Sequence, residues 1–120
     1  MKKFLSILLL NISFFMSADQ AVIILRDVGN GGNHVEHYIP ADQPDVYYDS
    51  DNQTIIIDGG GEVSYYDVEI MSMTTWNTVI TTQVNGTYDT IDVSSLASDD
   101  YLIVITTPND NEYEGEFSVP

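Results

Sequence analysis

A chain of 120 residues with nineteen Asp and Glu against three Lys and Arg carries a formal charge of −16, and it has no cysteine. Such acidity excludes DNA, RNA and an anionic membrane surface as partners, because those are held by Lys and Arg that displace counterions from phosphates. The missing thiols exclude a disulfide framework, a thiolate metal site, a cysteine nucleophile and acylation of an N-terminal Cys.

Lys2 and Lys3 precede an apolar run from Phe4 to Phe15, which reaches small residues at Ser17 and Ala18 before the polar Asp19. That succession is a secretory signal peptide over residues 1–18, cleaved near Ala18. The run falls short of the roughly 20 apolar residues that span a bilayer, so a soluble, secreted or periplasmic product is expected. Losing both lysines leaves Arg26 as the only basic side chain and moves the formal charge from −16 to −18. Self-repulsion of that size favours a salty setting or bound cations. About 100 mature residues suffice for one domain with one core.

Residues 19–45 read as an N-terminal arm or lead-in strand. Ala21–Arg26 is rich in β-branched residues and predicts a short strand, ended by Gly29-Asn30-Gly31-Gly32-Asn33. His34–Ile39 predicts another short strand, closed by the stretch from Pro40 to Pro44.

The β-sandwich domain occupies residues 46–120, where short β-branched or aromatic runs alternate with turn residues. Val46–Tyr48 and Thr54–Asp58 flank Asp49-Ser50-Asp51-Asn52, a hairpin turn whose Asp and Asn side chains can bond their own backbone. Gly59, Gly60 and Gly61 break the chain. Tyr66, Val68 and Ile70 then share one face while Asp67 and Glu69 take the other, the period of a half-buried strand. A turn near Thr74–Asn77 leads into Thr78–Val84, and Asn85-Gly86 predicts a two-residue hairpin. Ile91 and Val93 alternate with Thr90 and Asp92. Tyr101–Thr107 is apolar on both faces, as a central strand should be. In the last run Tyr113, Gly115, Phe117 and Val119 oppose Glu112, Glu114, Glu116 and Ser118, which would also blunt a terminal strand against edge-to-edge pairing.

About seven strands after residue 45 without a long amphipathic helix predict an all-β, immunoglobulin-like antiparallel β-sandwich. Leu96, five residues before Tyr101, is placed to anchor a crossing loop ahead of a tyrosine corner. The Thr54–Ile57 strand, the Val68–Ile70 strand, the Ile91-Asp92-Val93-Ser94-Ser95-Leu96 approach to Tyr101 and the closing Tyr113-Glu114-Gly115-Glu116-Phe117 together resemble a family of small secreted domains of unknown function, common in Bacteroidetes-type gut anaerobes. The resemblance covers Val46 to Val119 and implies an exported immunoglobulin-like or fibronectin-like sandwich with no assigned activity. The layout is also similar to C-terminal sorting domains of that group. Asp100, however, replaces their Gly before the corner tyrosine, and Phe117-Ser118-Val119-Pro120 replaces their basic ending, so a sorting role is not expected.

Chemistry is sparse. His34 and His37 flank Glu36 without the zincin spacing, and an extended chain sends them to opposite faces. Asp49 and Asp51, with Asn52, offer oxygen donors at alternate positions to calcium, the one cofactor the pattern admits; an EF-hand is excluded by Thr54 and Gly60 at its sixth and twelfth positions. A looser site would draw on Asp99, Asp100, Asp110 or Glu112. Trp76, with Tyr47 and Tyr65 as first companions and Tyr48 and Tyr88 behind them, could offer rings to a glycan or a protein partner. With no Lys or Cys left and one Arg, the mature chain offers no activated nucleophile and no electrophilic clamp, so no enzyme is expected. Three roles remain: an exported non-catalytic module for protein interaction or envelope assembly, a carbohydrate-binding module built on Trp76, and a calcium-stabilised structural or adhesive domain. Val22–Leu25 would be adhesive if its backbone were unpaired.

Overall fold

The sequence runs rich in Val, Ile, Thr and Tyr become nine β-strands among the described residues of the computed structural model, which are 20–28 and 39–120. The expected signal peptide and its cleavage near Ala18, the His34/His37 pair and most of the predicted His34–Ile39 strand fall outside the described residues. The strands are β1 (Gln20–Ile23), β2 (Arg26–Asp27), β3 (Asp45–Asp49), β4 (Thr54–Asp58), β5 (Tyr65–Ser72), β6 (Thr78–Asn85), β7 (Tyr88–Asp92), β8 (Asp99–Thr106) and β9 (Glu112–Val119). Seven follow residue 44, as expected. They form a four-stranded sheet in the order β1-β3-β4-β7 and a five-stranded sheet in the order β2-β9-β8-β5-β6, every pairing antiparallel.

The inward alternation of each strand fills the space between the sheets. Tyr48, Ile55 and Ile91 stand in register across the four-stranded sheet, Val68 pairs with Ile105 and Ile70 with Ile103 in the other, and all seven belong to one buried core. Each such buried aliphatic side chain contributes about 1.5–3 kcal/mol through removal of apolar surface from water. The central position of β8 explains why Tyr101 through Ile105 are buried on both faces. At its start the Tyr101 hydroxyl donates to the Ala97 carbonyl at 2.6 Å, and Leu96 packs against the core, so the tyrosine corner is present.

Three expectations need correction. Ala21–Arg26 is not one strand: β1 pairs with β3 in one sheet, β2 pairs with β9 in the other, and the chain crosses between them at Ile24 and Leu25. Gly115 of β9 makes room for that crossing, since a Cβ there would lie 2.7 Å from Ile23 Cγ2 and 2.9 Å from the Ile24 carbonyl oxygen. Asn85-Gly86 is not a hairpin turn, because β6 and β7 belong to different sheets. Gly86 is required instead by close backbone approach: its N–H donates to Ser64 O at 3.0 Å, its carbonyl accepts from Gly61 N at 3.0 Å, and a Cβ would meet Val63 O at 1.8 Å. Two sheet-crossing loops are thereby laced together. Finally, β9 is not an edge strand, for it lies between β8 and β2.

Candidate functional site

Where the chain crosses from one sheet to the other, apolar side chains are left outside the core. β1 buries Ile23 and turns Val22 outward; Val22 is 67% exposed, Ile24 of the crossing is 82% exposed, and Ile39 opposite is 70% exposed. These residues line a groove of about 500 Å³ together with Pro40, Pro44 and Tyr47. A second recess of about 390 Å³ shares Val22, Ile24 and Arg26 with it and is bounded by Glu114 and Glu116 of β9. On the outer face of the four-stranded sheet, Val22, Tyr47 and Ile56 stand side by side in register, which extends the apolar surface from the groove across three strands.

Both walls of the groove are fixed by particular bonds. Arg26 Nε donates to Glu114 Oε1 at 3.0 Å, and the same guanidinium closes an ion pair with that carboxylate, pinning β2 to β9. The hydrogen bond to Glu114, then its charge, hold the Arg26 pKa above the usual value. The other wall, residues 39–44, is tied down through Asp42. Its carboxylate accepts from the Tyr113 hydroxyl and from Asn111 Nδ2 at 2.8 Å, and its carbonyl accepts from the Tyr66 hydroxyl at 3.1 Å. Burial, followed by the charges of Asp42, Glu62 and Asp58, pushes the Tyr66 phenol up to about 12.

Trp76 sits elsewhere, in the β5–β6 turn, with φ of 60° and its side chain 59% exposed. A left-handed backbone is uncommon for a bulky residue and persists only where neighbours determine it. Here the Trp76 N–H donates to Ser72 O at 2.8 Å, while the Ser72 hydroxyl accepts from the amides of Thr74 and Thr75 and donates to Asp99 Oδ2 at 2.7 Å. Asp99 Oδ1 accepts from the Thr74 hydroxyl at 2.7 Å. The hydrogen bonds from Ser72, Thr74 and the Asp100 amide hold the Asp99 carboxyl below its usual range.

The ring candidates are not brought together. Tyr65 begins β5 and Trp76 follows its end, so about 23 Å of strand separates them at ~3.3 Å per residue. Tyr88 begins β7 beyond the same end of the sandwich as Tyr65. Only Tyr47 joins an exposed surface of several apolar side chains, the one around the groove. Val22–Leu25 stands out in the sequence as an uncharged apolar run, whereas Ile39 carries no local signal, because it reaches the site through the Asp42 bonds.

Asp49 is buried, and both carboxylate oxygens are used inside the turn: Oδ1 accepts from the amides of Asp51 and Asn52, and Oδ2 from Asn52 Nδ2 at 2.8 Å. Asp51 is exposed beside it. Asp99 and Asp100 open β8 while Asp110 and Glu112 lie past its other end, so these four do not converge. Among the described residues no three His, Cys, Asp or Glu side chains are grouped to hold a metal ion, and no helix is long and apolar enough to cross a membrane.

No known family model matches the sequence, and no curated protein matches it. A solved structure is similar: a DUF3244 family protein from Bacteroides vulgatus with an immunoglobulin-like β-sandwich fold. It superposes with a TM-score of 0.64 at 14% identity, covering 82% of this chain and 97% of that chain. The fold is immunoglobulin-like. That neighbour meets the resemblance carried by Val46 to Val119, a small sandwich domain of unknown function from the same group of bacteria. In this immunoglobulin-like sandwich the groove lies on the side where the lead-in chain changes sheets, remote from the Trp76 turn in sequence and in strand order.

Proposed function

We propose that the chain is an exported, non-catalytic immunoglobulin-like module that binds another protein, in solution or in an envelope assembly, through the sheet-crossing groove. The observation that carries this reading is the contiguous exposed apolar surface of Val22, Ile24 and Ile39, extended by Tyr47. Exposed apolar surface of this kind, rimmed by polar residues, marks interaction sites on soluble proteins. Export rests on the signal-peptide pattern of residues 1–18, and the non-catalytic part on the scarcity of bases, nucleophiles and cations in the mature chain.

The test is a photo-crosslinking amino acid placed at Ile24, and at Thr81 of β6 as a control, in the protein expressed by its own cell. A discrete protein adduct at Ile24 with none at Thr81 is expected. Equal labelling at both positions, or none at Ile24, removes the groove as a binding surface. A second reading, glycan recognition, is favoured by the exposed Trp76 indole on its fixed turn. Because Trp76 is the only tryptophan, its emission reports directly on it. A shift in that emission, or protection from iodide, upon adding a glycan is the outcome this reading requires.

A further inference from the structure

The groove is bordered by an open strand edge, and the edge selects how a partner would bind. In the four-stranded sheet β1 pairs on one side with β3 and, among the described residues, on the other side with nothing. Alternate residues of an antiparallel edge strand direct their N–H and C=O groups away from the sheet, so among the described residues the donors and acceptors on that side of β1 meet no strand. Of the other edges, β7 carries Asp89 and Asp92, while β6, which is also uncharged, interleaves its exposed Val79 with the hydroxyl and amide side chains of Thr78, Thr81, Thr82, Gln83 and Asn85. From Gln20 to Leu25 there is no charge at all, and Val22 and Ile24 are exposed. The edge that natural sequences usually blunt with charge is here left apolar, beside a groove able to receive side chains.

Charge decides what can come to it. A second copy would bring a formal charge of −16 against −16, and this repulsion opposes self-association. Asp45 and Glu116, both exposed, border the two recesses, and the one cation there, Arg26, is engaged with Glu114. We infer that β1 accepts an extended basic segment of another protein as an added strand, with the segment's apolar side chains beside Val22 and Ile24 and its Lys or Arg side chains, which alternate onto the opposite face, toward Glu116. Main-chain bonds would supply the pairing and the alternating side chains the selectivity. The inference rests on the interaction reading above and specifies its partner and geometry.

Two blocked seven-residue peptides, one alternating valine with lysine and one alternating valine with glutamate, test it on the mature protein. The lysine peptide is also made with backbone N-methyl groups at alternate residues, in both phases. The expected result is that the lysine peptide slows amide exchange within Gln20–Ile23 at least fivefold and binds at least tenfold more tightly than the glutamate peptide. One N-methyl phase should abolish the effect and the other leave it, since only one edge of the peptide faces β1. Val22→Lys should weaken lysine-peptide binding at least tenfold while its unchanged melting temperature shows that the sandwich is intact. Lysine-peptide binding that leaves β1 exchange unchanged and tolerates both N-methyl phases overturns strand addition, but leaves the groove as a side-chain interaction surface. If neither peptide alters β1, strand addition is also overturned, and crosslinking at Ile24 then decides separately whether the groove binds protein.

Discussion

Asp99 illustrates how a half-buried carboxylate can organise a turn. Its two oxygens collect bonds from Ser72, Thr74 and the Asp100 amide, so that the loop carrying Trp76 is fastened to the first residues of β8. Because these hydrogen bonds hold its folded pKa below the ordinary carboxylate value, Asp99 stabilises the fold above that value, and the contribution is lost as pH falls through the depressed folded pKa. Asp99→Asn should therefore flatten the acid side of the stability profile below about pH 4. It should also release Trp76, seen as stronger iodide quenching at neutral pH; identical quenching in the variant would show that the turn holds without Asp99. Tyr66 works in the opposite direction. Its phenol is raised from 10.0 to about 12, so stability from this group is complete below pH 10 and declines as pH rises through about 12. Alkaline unfolding of the wild type should be steeper across that window than that of Tyr66→Phe, which has no proton to lose.

At the level of elements, the decisive feature is the glycine on β9 that lets β1 and β2 lie in different sheets. Gly115→Ala would press a methyl group against Ile23 Cγ2 and the Ile24 carbonyl. Overpacking of this kind costs about 1–3 kcal/mol. Chemical denaturation should show a loss in that range, and amide exchange should speed up first within Gln20–Ile23; uniform acceleration over all strands would instead mean that the crossing is no weaker than the rest. The seven strands from β3 to β9 were legible because period-two alternation is a local property, visible in Tyr66-Asp67-Val68-Glu69-Ile70 without knowing any partner. Sheet membership was not. Asn85-Gly86 has the composition of a tight hairpin, and what diverts it is tertiary: the Gly86 backbone lies against Val63 and Ser64 of the neighbouring crossing. The site was legible in half. Val22–Leu25 stands out as an uncharged strand, but Ile39 is joined to it only through the bonds of Asp42 to Tyr66, Asn111 and Tyr113, which no spacing reveals. The grouping of Trp76 with Tyr65 failed for the same reason, since eleven positions along the chain traverse the whole of β5.

For the molecule as a whole, the governing quantity is the formal charge of −16, which loads the compact state with repulsion that salt relieves. Screening acts over about 8–10 Å at moderate ionic strength, comparable to the spacing of carboxylates along β9 and its neighbours. Sodium chloride should accordingly raise the melting temperature. Calcium poses a sharper question, because it can act both as a divalent screening ion and as a ligand. Asp49, the carboxylate best placed by sequence for calcium, already spends both oxygens on Asp51 and Asn52, and Asp99 spends both on Ser72, Thr74 and Asp100. Recruiting either would cost the turn that it closes. Calcium and magnesium chloride at equal concentration should therefore raise the melting temperature by the same amount, since screening depends on charge and not on coordination preference. A larger rise with calcium, saturating at a stoichiometric concentration, would mean that a flexible oxygen site exists after all. Its loss in Asp51→Asn but not in Asp110→Asn would then place that site at the β3–β4 turn and make the protein a calcium-stabilised domain.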